Sequence, residues 1–142
     1  MLSEASTSTP SRLVLEATLE GVSPETVTDN FTDPDLVTAW WAEQAHIDAD
    51  SGDYVFGWPE MEWTLRGKFT EIVRGRRVRF TWHWDHEPLH AVRSVLITTG
   101  TVDGGTHLTI THGDYAPDDT EERNGHIEGW THFIGKLADR VA

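Results

Sequence analysis

Residues 77–85 read Arg77-Val78-Arg79-Phe80-Thr81-Trp82-His83-Trp84-Asp85. Val78, Phe80, Trp82 and Trp84 share one side of an extended chain, and Arg77, Arg79, Thr81 and His83 share the other. A two-residue period marks a strand with one dry face and one wet face. Similar segments surround it. Asp53 to Trp58 aligns Tyr54, Phe56 and Trp58, and Trp63 to Val73 carries Gly67 as a bulge or close-approach point. Ala91 to Val102 runs into the hairpin turn Asp103-Gly104-Gly105, and the return strand Thr106 to His112 aligns Leu108, Ile110 and His112. Arg12 to Glu20 alternates at Leu13, Leu15, Ala17 and Leu19, while Ala45 to Ile47 is a short strand candidate.

Helices bracket these strands. Ser23-Pro24-Glu25 supplies a cap, a proline at the first position and an acid in the first turn, with Val27 and Phe31 as the buried stripe. Thr32-Asp33-Pro34-Asp35 restarts a second short helix that places Leu36, Ala39 and Trp40 on one face, with Trp41 beside them. From about Asp118 to Val141 the pattern is one long helix with the stripe Ile127, Trp130, Ile134, Leu137 and Val141. Acids crowd its start, and Lys136 and Arg140 its end, as the helix dipole prefers. The order is strand, two short helices, about six strands and one long helix. That is an α+β chain, with the helix laid across one face of an antiparallel sheet. Residues 1–10 read as a flexible tail and residues 11–142 as a single domain.

Composition sets the outer bounds. There are 142 residues, no cysteine, seven tryptophans and a formal net charge of −13. Without cysteine there are neither disulfides nor thiolate chemistry. No apolar run approaches the roughly 20 residues of a membrane span. The charge opposes binding to nucleic acid or to an anionic membrane. Met1 to Pro10 lacks a basic and an apolar region, so a cytoplasmic protein is expected. The acidity fits ordinary solubility or a saline habitat.

Four segments carry a resemblance. Phe31-Thr32-Asp33-Pro34-Asp35-Leu36 through Trp40-Trp41 is the first, and Gly67 to Ile72 with Arg77-Val78-Arg79-Phe80-Thr81-Trp82 the second. Gly104-Gly105-Thr106-His107-Leu108-Thr109-Ile110-Thr111-His112 is the third, and His126-Ile127-Glu128-Gly129-Trp130 the fourth. In this order, within residues 12–141, they resemble the family named for the C-terminal domain of the activator of the ninety-kilodalton heat-shock protein ATPase. That family lies within the START/polyketide-cyclase/birch-pollen-allergen (SRPBCC) superfamily. The resemblance implies a helix-grip fold: a curved antiparallel sheet of about six to seven strands around a long C-terminal helix, with an apolar cavity between them. It implies no single activity, because function resides in sites rather than folds.

On this frame, alternation sends Tyr54, Phe56, Trp58, Phe80, Trp82, Trp84, Val95, Ile97, Leu108, Ile110 and His112 inward. Trp130 and Ile134 face them from the helix, and Trp41 lies near the entrance. Wide aromatics either close a core or line a space for an apolar ligand. His112 is the candidate general base, with Glu71 the nearest inward acid. His126 lies one helical turn before Trp130, against cavity or loop. His83, Asp85, His86 and His90 cluster in sequence, but Pro88 excludes a helical metal pair, so no metal site is assigned. Arg74, Arg76, Arg77 and Arg79 read as an outer face balanced by acids. No nucleophile elbow, phosphate loop or dinucleotide fingerprint occurs, and no cofactor is expected.

Three function classes stay open. A domain binding a small hydrophobic ligand comes first, and a cyclase, dehydratase or hydrolase using His112 second. A co-chaperone acting on the heat-shock ATPase comes last, because the eukaryotic activator has a further N-terminal domain that is absent from these 142 residues. A homodimer is also open.

Overall fold

The computed structural model describes residues 2–88 and 92–141. The first strands are β1 (Ser3–Glu4) and β2 (Arg12–Glu20), followed by the short helices α1 (Pro24–Thr32) and α2 (Pro34–Val37). Then come β3 (Gln44–Ile47), β4 (Asp53–Trp58), β5 (Trp63–Val73), β6 (Arg77–Trp84), β7 (Arg93–Val102) and β8 (Gly105–Gly113). The chain ends in the long helix α3 (Thr120–Val141). The eight strands form one antiparallel sheet in the order β1-β2-β8-β7-β6-β5-β4-β3. This is the helix-grip architecture expected from the sequence. No helix among the described residues is long and apolar enough to cross a membrane.

Local chemistry explains the element ends. The Ser23 hydroxyl accepts from the Thr26 N–H at 3.2 Å and caps α1, while the Asp33 carboxylate accepts from the Asp35 N–H at 3.0 Å and caps α2. Arg74 clips α1 onto the β5–β6 turn through two hydrogen bonds to Asp29, at 2.8 and 2.9 Å. Arg77 pairs with Glu71 at 2.9 Å. Much of the arginine cluster is thus balanced by acids on the outer face.

Two differences from the sequence expectation have clear causes. Ser3 and Glu4, within the segment read as a tail, pair with Glu16 and Leu15 of β2. Arg123 of α3 holds this segment by donating to Glu4, to the Ser8 hydroxyl and to the Thr9 carbonyl, at 2.8 to 3.0 Å. The second concerns Glu71. A bulge between Phe69 and Glu71 shifts the β5–β6 register, so Phe69 opposes inward Phe80 while Glu71 opposes outward Arg79. Uninterrupted alternation would have turned Glu71 inward. The extra residue turns it out, towards Arg77 and Arg79.

Gly67 is not the bulge; it is a close-approach point. A Cβ there would lie 2.1 Å from the Thr81 carbonyl oxygen and 2.6 Å from the Tyr54 ring. Gly67→Ala is therefore expected to destabilise the fold by about 1–3 kcal/mol through backbone displacement, read as a lower urea midpoint. An unchanged midpoint would show that the two strands separate freely.

The core lies between the concave sheet, α1, α2 and α3. Tyr54, Phe56, Phe80, Ile97, Leu108, Ile110 and Ile134 are all buried in it, as is Val95. Trp40 is also buried, and its indole N–H donates to the Asn30 carbonyl at 3.0 Å.

Candidate functional site

A cleft of about 280 Å³ opens between α3 and the β4–β6 end of the sheet. Trp58 of β4, Trp82 and Trp84 of β6, Trp130 of α3, and Trp41 after α2 border it. Trp63 and Met61 close one side. Met61 belongs to a single turn, Pro59–Met61, that Glu62 ends in the left-handed region at φ 56°, and Trp63 opens β5 directly after it. Six of the seven tryptophans therefore surround one space. They also pack on each other: Trp41 lies 5.3 Å from Trp130 and 6.1 Å from Trp82, centroid to centroid. The Trp58 N–H is fixed by the Trp41 carbonyl at 2.9 Å.

α3 presents two glycines to this space. Gly125 and Gly129, one turn apart, both border the cleft, and a Cβ on either would meet nothing within 4 Å. Glycine inside a helix costs about 0.5–1 kcal/mol relative to alanine. The helix carries that cost twice where it faces the cleft.

A polar cluster lies at the inner end. The Trp130 N–H donates to His112 Nδ1 at 3.0 Å. Indole only donates, so Nδ1 is the acceptor and the His112 proton sits on Nε2. Among the described residues that buried Nε2–H has no partner, and neither has the Trp82 N–H. His112 stacks on His126 at 4.4 Å and 10°. Burial, then the neighbouring His126 and Arg93, hold His112 well below the usual imidazole range. Burial likewise depresses His126 to about 4, against the opposing pull of Glu122. The Tyr115 hydroxyl lies 2.7 Å from His126 Nδ1, and burial keeps it a phenol.

Arg93 organises the carboxylates. It is almost fully buried, hydrogen bonds Glu122 through Nε and Nη2, meets Asp119 at 3.3 Å and donates to the Asp114 carbonyl. Its guanidinium also lies 4.6 Å over the Tyr115 ring. Burial pushes Glu122 up, but hydrogen bonds from Arg93 and Glu87 bring it below the ordinary carboxylate range. Glu87 goes the other way: burial, and then the hydrogen bond and charge of Glu122, raise it to about 7. Both glutamates border the cleft.

Tyr54, Phe56, Phe80, Ile97, Leu108, Ile110 and Ile134 sit in the packed core rather than on the cleft wall. His112 is behind Trp82 and Trp130, in contact with both rings. Glu71 is on the outer face and far from forming a pair with it. Of the sequence-adjacent metal donors, His83 Nε2 lies 2.9 Å from the Pro88 carbonyl and Asp85 pairs with Arg66. His86 stacks on Trp84 at the cleft, and His90 falls outside the described residues. Among the described residues no group of three metal-ligating side chains converges. Sequence reasoning missed Arg93, Glu87, Glu122 and Tyr115. It also passed over the pair Gly125 and Gly129, whose four-residue spacing beside the apolar stripe was the available signal.

The model of the Activator of Hsp90 ATPase homolog 1-like protein family matches residues 21–142. The chain belongs to that family. Solved structures similar to this Activator of Hsp90 ATPase homolog 1-like chain share its fold at low identity. Protein MLL2253 from Mesorhizobium loti has a TM-score of 0.80 at 21% identity, over 92% of this chain and 98% of that one. Protein CV1439 from Chromobacterium violaceum has a TM-score of 0.74 at 25% identity, over 94% and 98%. CalU16 from Micromonospora echinospora has a TM-score of 0.68 at 16% identity, over 99% and 83%. No curated protein matches the sequence.

Proposed function

We propose that this domain binds a small apolar or aromatic molecule in the tryptophan cleft. One observation carries the proposal: six indoles surround a space that two helix glycines also border. Packing normally removes such voids, since protein interiors are as dense as organic crystals. Large aromatic walls with a few polar groups at one end are the usual make-up of a small-molecule site. The enzymatic alternative built on His112 loses its base, because the one lone pair in the ring plane is already occupied by the Trp130 N–H. Action on the heat-shock ATPase has the family name as its support and no feature of the cleft.

Filling the space tests the proposal. Gly125→Leu with Gly129→Leu is expected to abolish ligand-induced quenching of tryptophan fluorescence. It should also raise thermal stability, by about 0.5–1 kcal/mol for each glycine removed. Gly135, on the exposed side of α3, is the control: Gly135→Ala should stabilise without touching binding. Full quenching by an apolar ligand in the filled variant would remove the cleft as the site.

A further inference from the structure

The cleft wall is one-sided in charge. Glu87 and Glu122 border it, and among the described residues neither lysine nor arginine does. Arg93 is not on the lining, and its charge is engaged by Glu122 and Asp119. His126 stays neutral at physiological pH. The rings complement this charge. Trp58 and Trp130 spend their N–H edges on protein acceptors, which leaves ring carbon for the cleft. Indole faces are electron-rich and attract cations, most strongly where water is excluded. The Glu87 carboxyl shares a hydrogen bond with Glu122, and its buried Oε1 finds no partner among the described residues, which leaves an acceptor position at the wall.

We infer that the ligand of this cleft is an organic cation, an aryl- or alkylammonium whose head lies among the indole faces beside Glu87 and Glu122. The inference rests on the ligand-binding role proposed above and adds its chemical class. It carries a proton linkage. Glu87 is faced by Glu122 from α3 and by Arg93 from β7, with Asp119 and His126 beyond them and His86 on its own turn. Burial and Glu122 hold it protonated up to about pH 7. A cation arriving beside it favours the carboxylate and expels the proton. Binding therefore tightens as pH rises through neutrality.

The test compares phenyltrimethylammonium with its uncharged isostere tert-butylbenzene, and with benzenesulfonate, by tryptophan fluorescence and calorimetry. At about pH 8 the ammonium should bind about tenfold more tightly than the isostere, and the sulfonate more weakly than either. The advantage should shrink severalfold at about pH 5.5. Near pH 7, calorimetry in two buffers of different ionisation enthalpy should register proton release for the ammonium and none for the isostere. Glu87→Gln should lower ammonium affinity about fivefold, leave the isostere unchanged and abolish the release. Equal binding of ammonium and isostere, or a preference for the sulfonate, would overturn the cation assignment and leave the ligand site standing. Binding of none of the three would remove both. The wild-type comparison and the proton count decide the matter without any variant.

Discussion

Arg93→Ala is expected to destabilise the protein by about 3–5 kcal/mol, the range for removing one partner of a buried ion pair. The loss is several losses at once. Glu122 would remain beside Glu87 without its cation, and Asp119 would lose a partner at 3.3 Å. The Asp114 carbonyl would lose a donor and the Tyr115 ring its guanidinium. These groups tie β7 to the start of α3, so the helix should loosen at its N-terminal end first. Arg93→Lys should recover only part of the loss, because an ammonium cannot reproduce the two-pronged contact with Glu122. The double variant Arg93→Met with Glu122→Gln should recover more, since it removes the stranded charge as well as its partner. Urea unfolding of the three variants measures this. A loss below about 1 kcal/mol for Arg93→Ala would place the pair with surface salt bridges.

How far the sequence reveals this arrangement depends on the kind of signal. The strand faces are legible because alternation is local: Val78, Phe80 and Trp82 go inward as their spacing dictates, and all three are buried. Helix caps are legible for the same reason, as Ser23 and Asp33 show. Glu71 illustrates the limit. One inserted residue between Phe69 and Glu71 reverses its face, and no residue type in that stretch announces the bulge. The cleft is only half legible. Its indoles are conspicuous in the sequence, but whether indoles meet or stand apart is decided by what is missing opposite them. Gly125 and Gly129 look like weak points of a helix until the sheet is placed against it. The polar cluster is least legible, because Arg93 and Glu122 are joined only once β7 and α3 are docked, and either alone reads as a surface charge.

Acid should unfold this protein earlier than its carboxylates alone would dictate. His112 and His126 are both held below the ordinary imidazole range in the fold, chiefly by burial. In the unfolded chain both titrate near pH 6.5. As pH falls through that value the unfolded state takes up protons that the folded state refuses, so stability declines. For His126 the decline continues to about pH 4, where its folded form titrates, and amounts to about 3 kcal/mol. His112 adds to it in the same direction. Glu87 opposes it: its folded carboxyl already holds a proton between about pH 7 and the unfolded value of 4.5, so it favours the fold as pH drops. Glu87 is more exposed than either imidazole, and solvent screening makes its contribution the smaller one. The net expectation is a urea midpoint that falls steadily between pH 6.5 and 4, by about 3 kcal/mol in stability. His126→Phe keeps an aromatic ring against His112 and removes one of the two refused protons, so its pH profile should be markedly flatter. Glu87→Gln removes the opposing group and should steepen it. A midpoint that holds constant down to pH 4.5 in the wild type would show that the stacked imidazoles accept protons within the fold, and that the inner end of the cleft is wet.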